Sequence, residues 1–254
     1  MIKVTVLGVG NLASHLIDIC VASSSIHLQQ IYNRTITKIE GYDEVTAITS
    51  DIHELEPADI YIIAVKDVVI DALAQQLQYV DGLVVHTSGA TDLSPLEGLK
   101  RKGVFYPLQS FSKGKPVDFE KIPLCLEATN EADYTLLYRF ANRISEQVYL
   151  LDAAQRKQLH IAAVFVNNFV NQLYVIGEQI CEEHKIPFEI LHPLILETAQ
   201  KIGTNSPTSV QTGPAVRGDQ KTIEIHKKSL SSEQAILYSL LSKCIQNTKK
   251  EYGN

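Results

Sequence analysis

The chain has 254 residues, 45% of them hydrophobic and 20% charged, with a net charge of -6, enough for one large domain or two modest ones. The negative balance and the lack of a long Lys/Arg run argue against nucleic acid as a partner. No apolar run approaches a membrane span and no signal-like segment precedes the first strand, which predicts a cytoplasmic protein. Cys20, Cys125, Cys181 and Cys244 form no Cys-x-x-Cys pair and read as small core residues.

Val4 to Leu7 reads as a short buried strand. It runs into Gly8-Val9-Gly10-Asn11-Leu12-Ala13, a Gly-x-Gly-x-x-Ala turn with helical spacing continuing to Cys20. Strand, glycine turn and helix start together make a phosphate cradle: Gly8 permits the tight turn, and Gly10 lets a pyrophosphate approach the free N–H groups of the helix. Gly8, Val9, Gly10, Asn11 and Leu12 are therefore candidate cofactor contacts.

His27 to Tyr32 is the second strand, ending in Asn33-Arg34-Thr35. Dinucleotide folds that take NAD place an acid here, and those that take NADP place an arginine near the 2′-phosphate. No acid occurs before Glu40, so Asn33, Arg34 and Thr35, with Lys38 nearby, favour NADP over NAD. The alternative is a solvated arginine on a loop.

Val45 to Ile48 is a short third strand, and Asp51 caps a brief helix. Ile60 to Val65 is a continuous apolar run, as expected of a parallel strand buried on both faces. Ala64, Val65 and Lys66 lie where such a chain passes the cofactor. Val68 to Leu77 reads as a helix and Gly82 to His86 as the fifth strand. Ligands bind beyond strand C-termini in open α/β sheets. His86 is thus a candidate cofactor contact, or alternatively a strand-end histidine bonded to backbone. Ser88 and Gly89 are candidate substrate contacts.

A helix is predicted from Ser94 to Lys100. Val104 to Tyr106 is the sixth strand, with Tyr106 and Gln109 as further substrate candidates. Ile122 to Leu126, Glu131 to Ile144 and Glu146 to Leu150 read as strand, helix and strand. The β-α alternation predicts a mostly parallel sheet.

The pattern changes at Asp152. From there to about His184, apolar residues recur at helical spacing with Gly177 as the one breaker, which predicts a helix of about 30 residues. The boundary is drawn there: residues 1–151 form a dinucleotide-binding domain and 152–254 an all-helical substrate and dimerisation domain. Pro187 to Ile202 is a second helix, Asp219 caps a third, and Ser231 or Ser232 caps a fourth ending near Asn247.

Counted by α-helical turns, His160, Val164, Asn167 or Asn168, and Asn171 share a stripe. That stripe is either a wall of the catalytic cleft or a hydrogen-bonded interface. Arg217, between Gly213 and Gly218, would clamp a carboxylate or phosphate, or else pair with Asp219. Glu178, Cys181 and His184 complete no ligand set, so no metal is expected. So long a helix is expected to bury an apolar face against a second copy, giving a homodimer through the helical domain.

HTSGA at 86–90, YPLQSF at 106–111, HIAAVFVNNF at 160–169 and TGPAVRGD at 212–219 resemble bacterial Rossmann-like oxidoreductases with a C-terminal domain of unknown function. These sit within the superfamily of 6-phosphogluconate dehydrogenase, β-hydroxyacid dehydrogenase and pyrroline-5-carboxylate reductase. The resemblance implies a Rossmann-type α/β domain followed by an all-α domain with one long helix. It also implies NADP-dependent hydride transfer to or from a small metabolite at an interdomain cleft.

Asn168 falls where β-hydroxyacid dehydrogenases keep an active-site asparagine. Their catalytic lysine falls on Val164 here, so His160, one turn earlier, is the candidate acid/base. The missing lysine leaves open a dinucleotide-binding sensor or scaffold without turnover. A methyltransferase using S-adenosylmethionine ranks last, because no acid follows the second strand.

Overall fold

The computed structural model describes residues 1–252. The chain divides into two compact units, Met1–Val164 and the remainder from Phe165.

The first unit is built on one eight-stranded sheet. Its strands are β1 (Ile2–Leu7), β2 (Ile26–Tyr32), β3 (Ala47–Thr49), β4 (Ile60–Ile63), β5 (Leu83–His86), β6 (Lys102–Pro107), β7 (Leu124–Ala128) and β8 (Val148–Leu150). Their spatial order is β3-β2-β1-β4-β5-β6-β7-β8. Every neighbouring pair is parallel except β6 and β7. Between those two strands lies only a single 3-10 turn, Phe119–Lys121. With no crossover helix, the chain returns in the opposite direction, and the predicted β-α alternation lapses at this point.

Helices α1 (Asn11–Ala22), α2 (Asp67–Ala74) and α3 (Glu131–Ala141) cover the sheet. Two apolar clusters form, one containing Leu16, Ile17, Phe105 and Phe140 and the other Leu7, Tyr61, Ile70 and Leu77. All four residues of β4 are buried, as a strand covered on both faces requires. The helix predicted from Ser94 to Lys100 is one 3-10 turn, Ser94–Leu96, because Gly98 enters the left-handed region at φ 91° and stops propagation.

The strand order reverses direction between β1 and β4, and such switch points open a crevice beyond the strand C-termini. Gly8 leaves β1 there and Ala64 leaves β4.

The helix predicted after Asp152 is present from Ala153 to Glu183. Asp152 caps it, accepting from the Gln155 backbone while the Gln155 side chain accepts from Asp152 N–H, a reciprocal capping box. The helix is not α throughout. It comprises α4 (Ala153–Ala163), a π-helical segment Val164–Phe169, and α5 (Val170–Glu183). The expected domain boundary at Leu151/Asp152 marks the start of this helix, whereas the compact division falls within it, at Val164/Phe165. α4 is tied to β7 by the Arg156–Glu127 pair, which is why it belongs with the first unit.

One expectation needs correcting. Ala153–Glu183 is, by length and composition, apolar enough to cross a membrane, with a window of mean hydropathy 1.3. The uninterrupted apolar run sought in the sequence is broken by Asn167, Asn168, Asn171 and Gln172, while the averaged hydropathy still passes. Hydrocarbon would leave those amides unsolvated.

The second unit continues through α6 (His192–Lys201), α7 (Pro214–Arg217), α8 (Gln220–Lys228) and α9 (Ser232–Tyr252). Asp219 caps α8 by accepting from Thr222 N–H at 3.0 Å. Ser231 accepts from Gln234 N–H ahead of α9. Among the described residues of this unit, the buried hydrophobics are Cys181, Ala215 and Ile223. Cys244 is exposed, so it is not the core residue that the sequence suggests.

Candidate functional site

The glycine turn is built by exclusion. Gly8 has φ 115°, and a β-carbon there would stand 2.5 Å from the Ala64 carbonyl oxygen. Glycine is therefore required for β1 and β4 to approach at the switch point. Gly10 is the N-cap of α1 at φ -71°, with no side-chain cap bond, and a β-carbon there would meet nothing within 4 Å. The first N–H groups of α1 therefore face open space, and the helix carries no acid in its first turn. This is the arrangement that binds a phosphate.

A cleft of about 520 Å³ opens at this turn, lined by Gly8 to Leu12, Asn33, Lys38, Ala64 to Lys66 and Thr87. A second cavity of about 300 Å³ shares Gly8, Asn33, Val65 and Lys66, and adds Arg34, Val69 and Gln76. Arg34 is exposed, and among the described residues no carboxylate lies within ion-pairing distance of it. Three cations thus border connected space beside the β2 terminus. Thr35 lines neither cavity; its carbonyl accepts from Asn33 Nδ2 at 2.8 Å, closing the turn. Asn11 donates from Nδ2 to the Phe111 carbonyl at 3.0 Å, which ties the loop after β6 to the cleft.

At the loop after β5, His86 takes the second of its two sequence-based readings, a strand-end histidine bonded to backbone. His86 is fully buried. Its Nδ1 accepts from Ser88 N–H at 3.2 Å, so Nε2 carries the proton and donates to the Asp92 carbonyl at 3.0 Å. Burial, with a further push from Arg156, drives its pKa down to about 4. This neutral imidazole braces the loop and presents nothing to a cofactor, and Thr87 is the loop residue that lines the cleft.

Ser88 is committed in the same way. Its hydroxyl lies 2.9 Å from both the Asp67 carboxylate, to which it donates, and the Thr91 hydroxyl, and accepts from Ala90 and Thr91 N–H. One donor and two lone pairs are thereby filled, so Ser88 fixes the loop and has no capacity left for a substrate.

Gly89 is the contact surface for Tyr106. A β-carbon on Gly89 would lie 2.5 Å from Cζ and 2.8 Å from the hydroxyl of that ring. Tyr106, near the end of β6, meets Nδ1 of His160 on α4 at 3.2 Å, with the rings edge-to-face. Burial, then the neighbouring Cys125 and Asp67, hold the phenol above its ordinary pKa, so it is neutral. Gln109 is exposed and accepts from Ser110 N–H.

Asn167 and Asn168 lie in the π-helical segment and are exposed. Wider π turns shift the facing of every residue beyond Val164, so the α-helical stripe from His160 to Asn171 does not continue in register. Arg217 ends α7, where Gly213 and Gly218 have positive φ. It is exposed and has no ion pair among the described residues, while Asp219 is engaged by Thr222. These three residues belong to the second unit.

The sequence reading missed Thr87, Val69, Gln76, Asp67 and Arg156. Arg156 is 1% exposed, pairs with Glu127 and donates to the Thr91 carbonyl at 2.7 Å. The signal available was its position four residues before His160, on the same helical face.

Strand order, glycine turn and an open crevice at the switch point define a Rossmann-type dinucleotide-binding protein. Residues 122–245 match the family model described as a domain of unknown function (DUF2520). A solved structure described as a putative NADP oxidoreductase, from Bacteroides fragilis, is 36% identical, with a TM-score of 0.87 over 97% of this chain and 98% of its own. The chain belongs to the family of that Rossmann-type NADP oxidoreductase. A Thermotoga maritima protein shares the fold at 21% identity and a TM-score of 0.77, covering 99% of this chain and 100% of that one. The Myxococcus stipitatus imine reductase, solved in complex with NADP+, does so at 14% identity and 0.69, covering 99% and 95%. A search of the curated proteins finds no match.

Proposed function

We propose that this protein is an NADP-preferring oxidoreductase that reduces or oxidises a small metabolite beside Tyr106 and His160. The carrying observation is the open crevice at Gly10, bordered by Lys38 and Lys66, beside a smaller cavity bordered by Arg34, which has no ion pair among the described residues. Gly8 to Leu12 would hold the pyrophosphate, and Arg34 the 2′-phosphate, as a guanidinium fork does well. The bound nicotinamide supplies the hydride chemistry. Tyr106 offers a neutral hydroxyl, and the imidazole of His160 behind it, in contact at 3.2 Å, is the group placed to relay a proton to or from it.

Fluorescence titration of the full chain with NADPH and NADH tests the cofactor. NADPH is expected to bind at least tenfold more tightly, and equal affinities would overturn the preference. Binding without NADPH oxidation across a panel of imines, keto acids and aldehydes would favour the sensor reading.

The second unit supports a homodimer. Phe165, Val166, Ile190, Leu194, Leu196, Ile236 and Leu240 are exposed there, while few apolar residues are buried. A helical unit with so small a core gains stability by covering that surface, and a second copy is the partner always present.

A further inference from the structure

The side chain that the proton-transfer reading leaves unexplained is Arg156. It is the largest fully buried side chain among the described residues. From its place on α4, its guanidinium reaches two other elements: Glu127 on β7, and the Thr91 carbonyl on the loop that follows β5. Its Nε–H is buried without a partner among the described residues. A buried ion pair of this kind is weak as a stability device, because desolvation offsets most of its attraction and apolar replacements are often neutral. What it provides is geometry. A planar guanidinium with separate Nη1 and Nη2 contacts fixes both distance and angle, which a lysine ammonium on a flexible stem cannot do.

The elements it joins are those that carry the proton-transfer pair. Thr91 closes the turn whose Ser88 hydroxyl bonds Asp67 and whose Gly89 abuts the Tyr106 ring. Cys125, two residues before Glu127, pairs with Tyr106 across β6 and β7. His160 stands one helical turn beyond Arg156 on α4. We propose that Arg156 is a positioning residue for proton transfer. Its two contacts hold α4 against the β5 loop at the height where the His160 imidazole reaches the Tyr106 hydroxyl. The functional meaning of this assignment rests on the reading of Tyr106 and His160 given above.

The test needs no substrate. In full-length protein labelled with ¹⁵N-histidine, long-range ¹H–¹⁵N spectra report the tautomer and titration midpoint of each imidazole. His160→Gln assigns the signal, and Tyr106→Phe gives its position without the hydrogen bond. The double variant Arg156→Leu/Glu127→Leu removes the pair while keeping the site filled, and Arg156→Lys keeps the charge but loses the fork. In folded variants, checked by circular dichroism, the His160 signal is expected to move to its Tyr106→Phe position. A folded double variant with wild-type His160 signals would overturn the proposal; should it fail to fold, Arg156→Lys decides by the same reading. Parallel NADPH titration of the wild-type protein separates the two ideas. Loss of NADPH binding would remove the oxidoreductase reading, while the His160 spectra still report on positioning.

Discussion

Gly89 and Tyr106 are packed so closely that a β-carbon on the glycine would stand 2.5 Å from Cζ of the ring. The backbone of the β5 loop is thus the floor on which the phenol rests while its hydroxyl meets His160. Gly89→Ala is expected to push the ring aside and to cost about 1–3 kcal/mol, the usual range for overpacking. Urea denaturation measures the cost. Adding Tyr106→Ala in a double-mutant cycle should recover part of it, and strict additivity would show that the two residues are not coupled.

The two fingerprint glycines serve different ends, and their variants should separate. Gly8→Ala meets a positive φ and the Ala64 carbonyl, and is expected to destabilise the fold by roughly 1–3 kcal/mol. Gly10→Val has open space and ordinary φ. Its stability is expected to stay within about 1 kcal/mol of wild type, while NADPH affinity drops at least tenfold because the side chain fills the phosphate space. Thermal unfolding and calorimetric titration of both variants check the contrast.

Arg34 borders the smaller cavity without a carboxylate partner among the described residues. Arg34→Ala should weaken NADPH by roughly 10- to 100-fold, the equivalent of about 1.4–2.8 kcal/mol, and leave NADH nearly unchanged. An unaltered ratio of the two affinities would remove Arg34 from the 2′-phosphate site.

His86 links stability to pH. Its pKa is near 4 in the folded protein and about 6.5 when unfolded. Between these values the unfolded chain binds the extra proton, so stability falls as pH drops from 6.5 to 4 and is unaffected by this group above 6.5. The gap corresponds to on the order of 3 kcal/mol at its lower end. Denaturation of wild type and His86→Gln at pH 4.5, 5.5 and 7.5 should show a flatter slope in the variant, and parallel slopes would contradict the assignment.

The exposed apolar surface of the second unit predicts a dimer by light scattering at micromolar concentration. Ile236→Asp/Leu240→Asp, at positions 72% and 57% exposed, is expected to weaken association. A wild-type monomer would reject the interface.

Much of the architecture was legible because it rests on local rules. The eight predicted strands each fall on a strand of the sheet, the Gly-x-Gly-x-x-Ala turn located the switch point, and Asp152 announced a capped helix that the structure extends to Glu183. The antiparallel turn to β7 was not legible, because no local signal separates a long loop from a lost crossover helix. The π segment at Val164–Phe169 was also hidden, since helical periodicity presumes 3.6 residues per turn and one wide turn rotates everything after it.

The candidate site divides along the same line. By itself, the sequence determined the phosphate turn and the cation after β2, because both depend on backbone freedom and on chain position relative to a strand. Only the tertiary structure decided which polar side chains are available for chemistry. His86 and Ser88 read as candidate cofactor and substrate contacts but are engaged within the loop, His86 by backbone groups and Ser88 by Asp67 and backbone N–H groups, while Tyr106 and His160, far apart in sequence, meet at 3.2 Å. Arg156 stood out for no role in the sequence and is buried between β7 and the β5 loop. Burial and hydrogen-bond satisfaction are properties of packed neighbours, which a linear pattern does not contain.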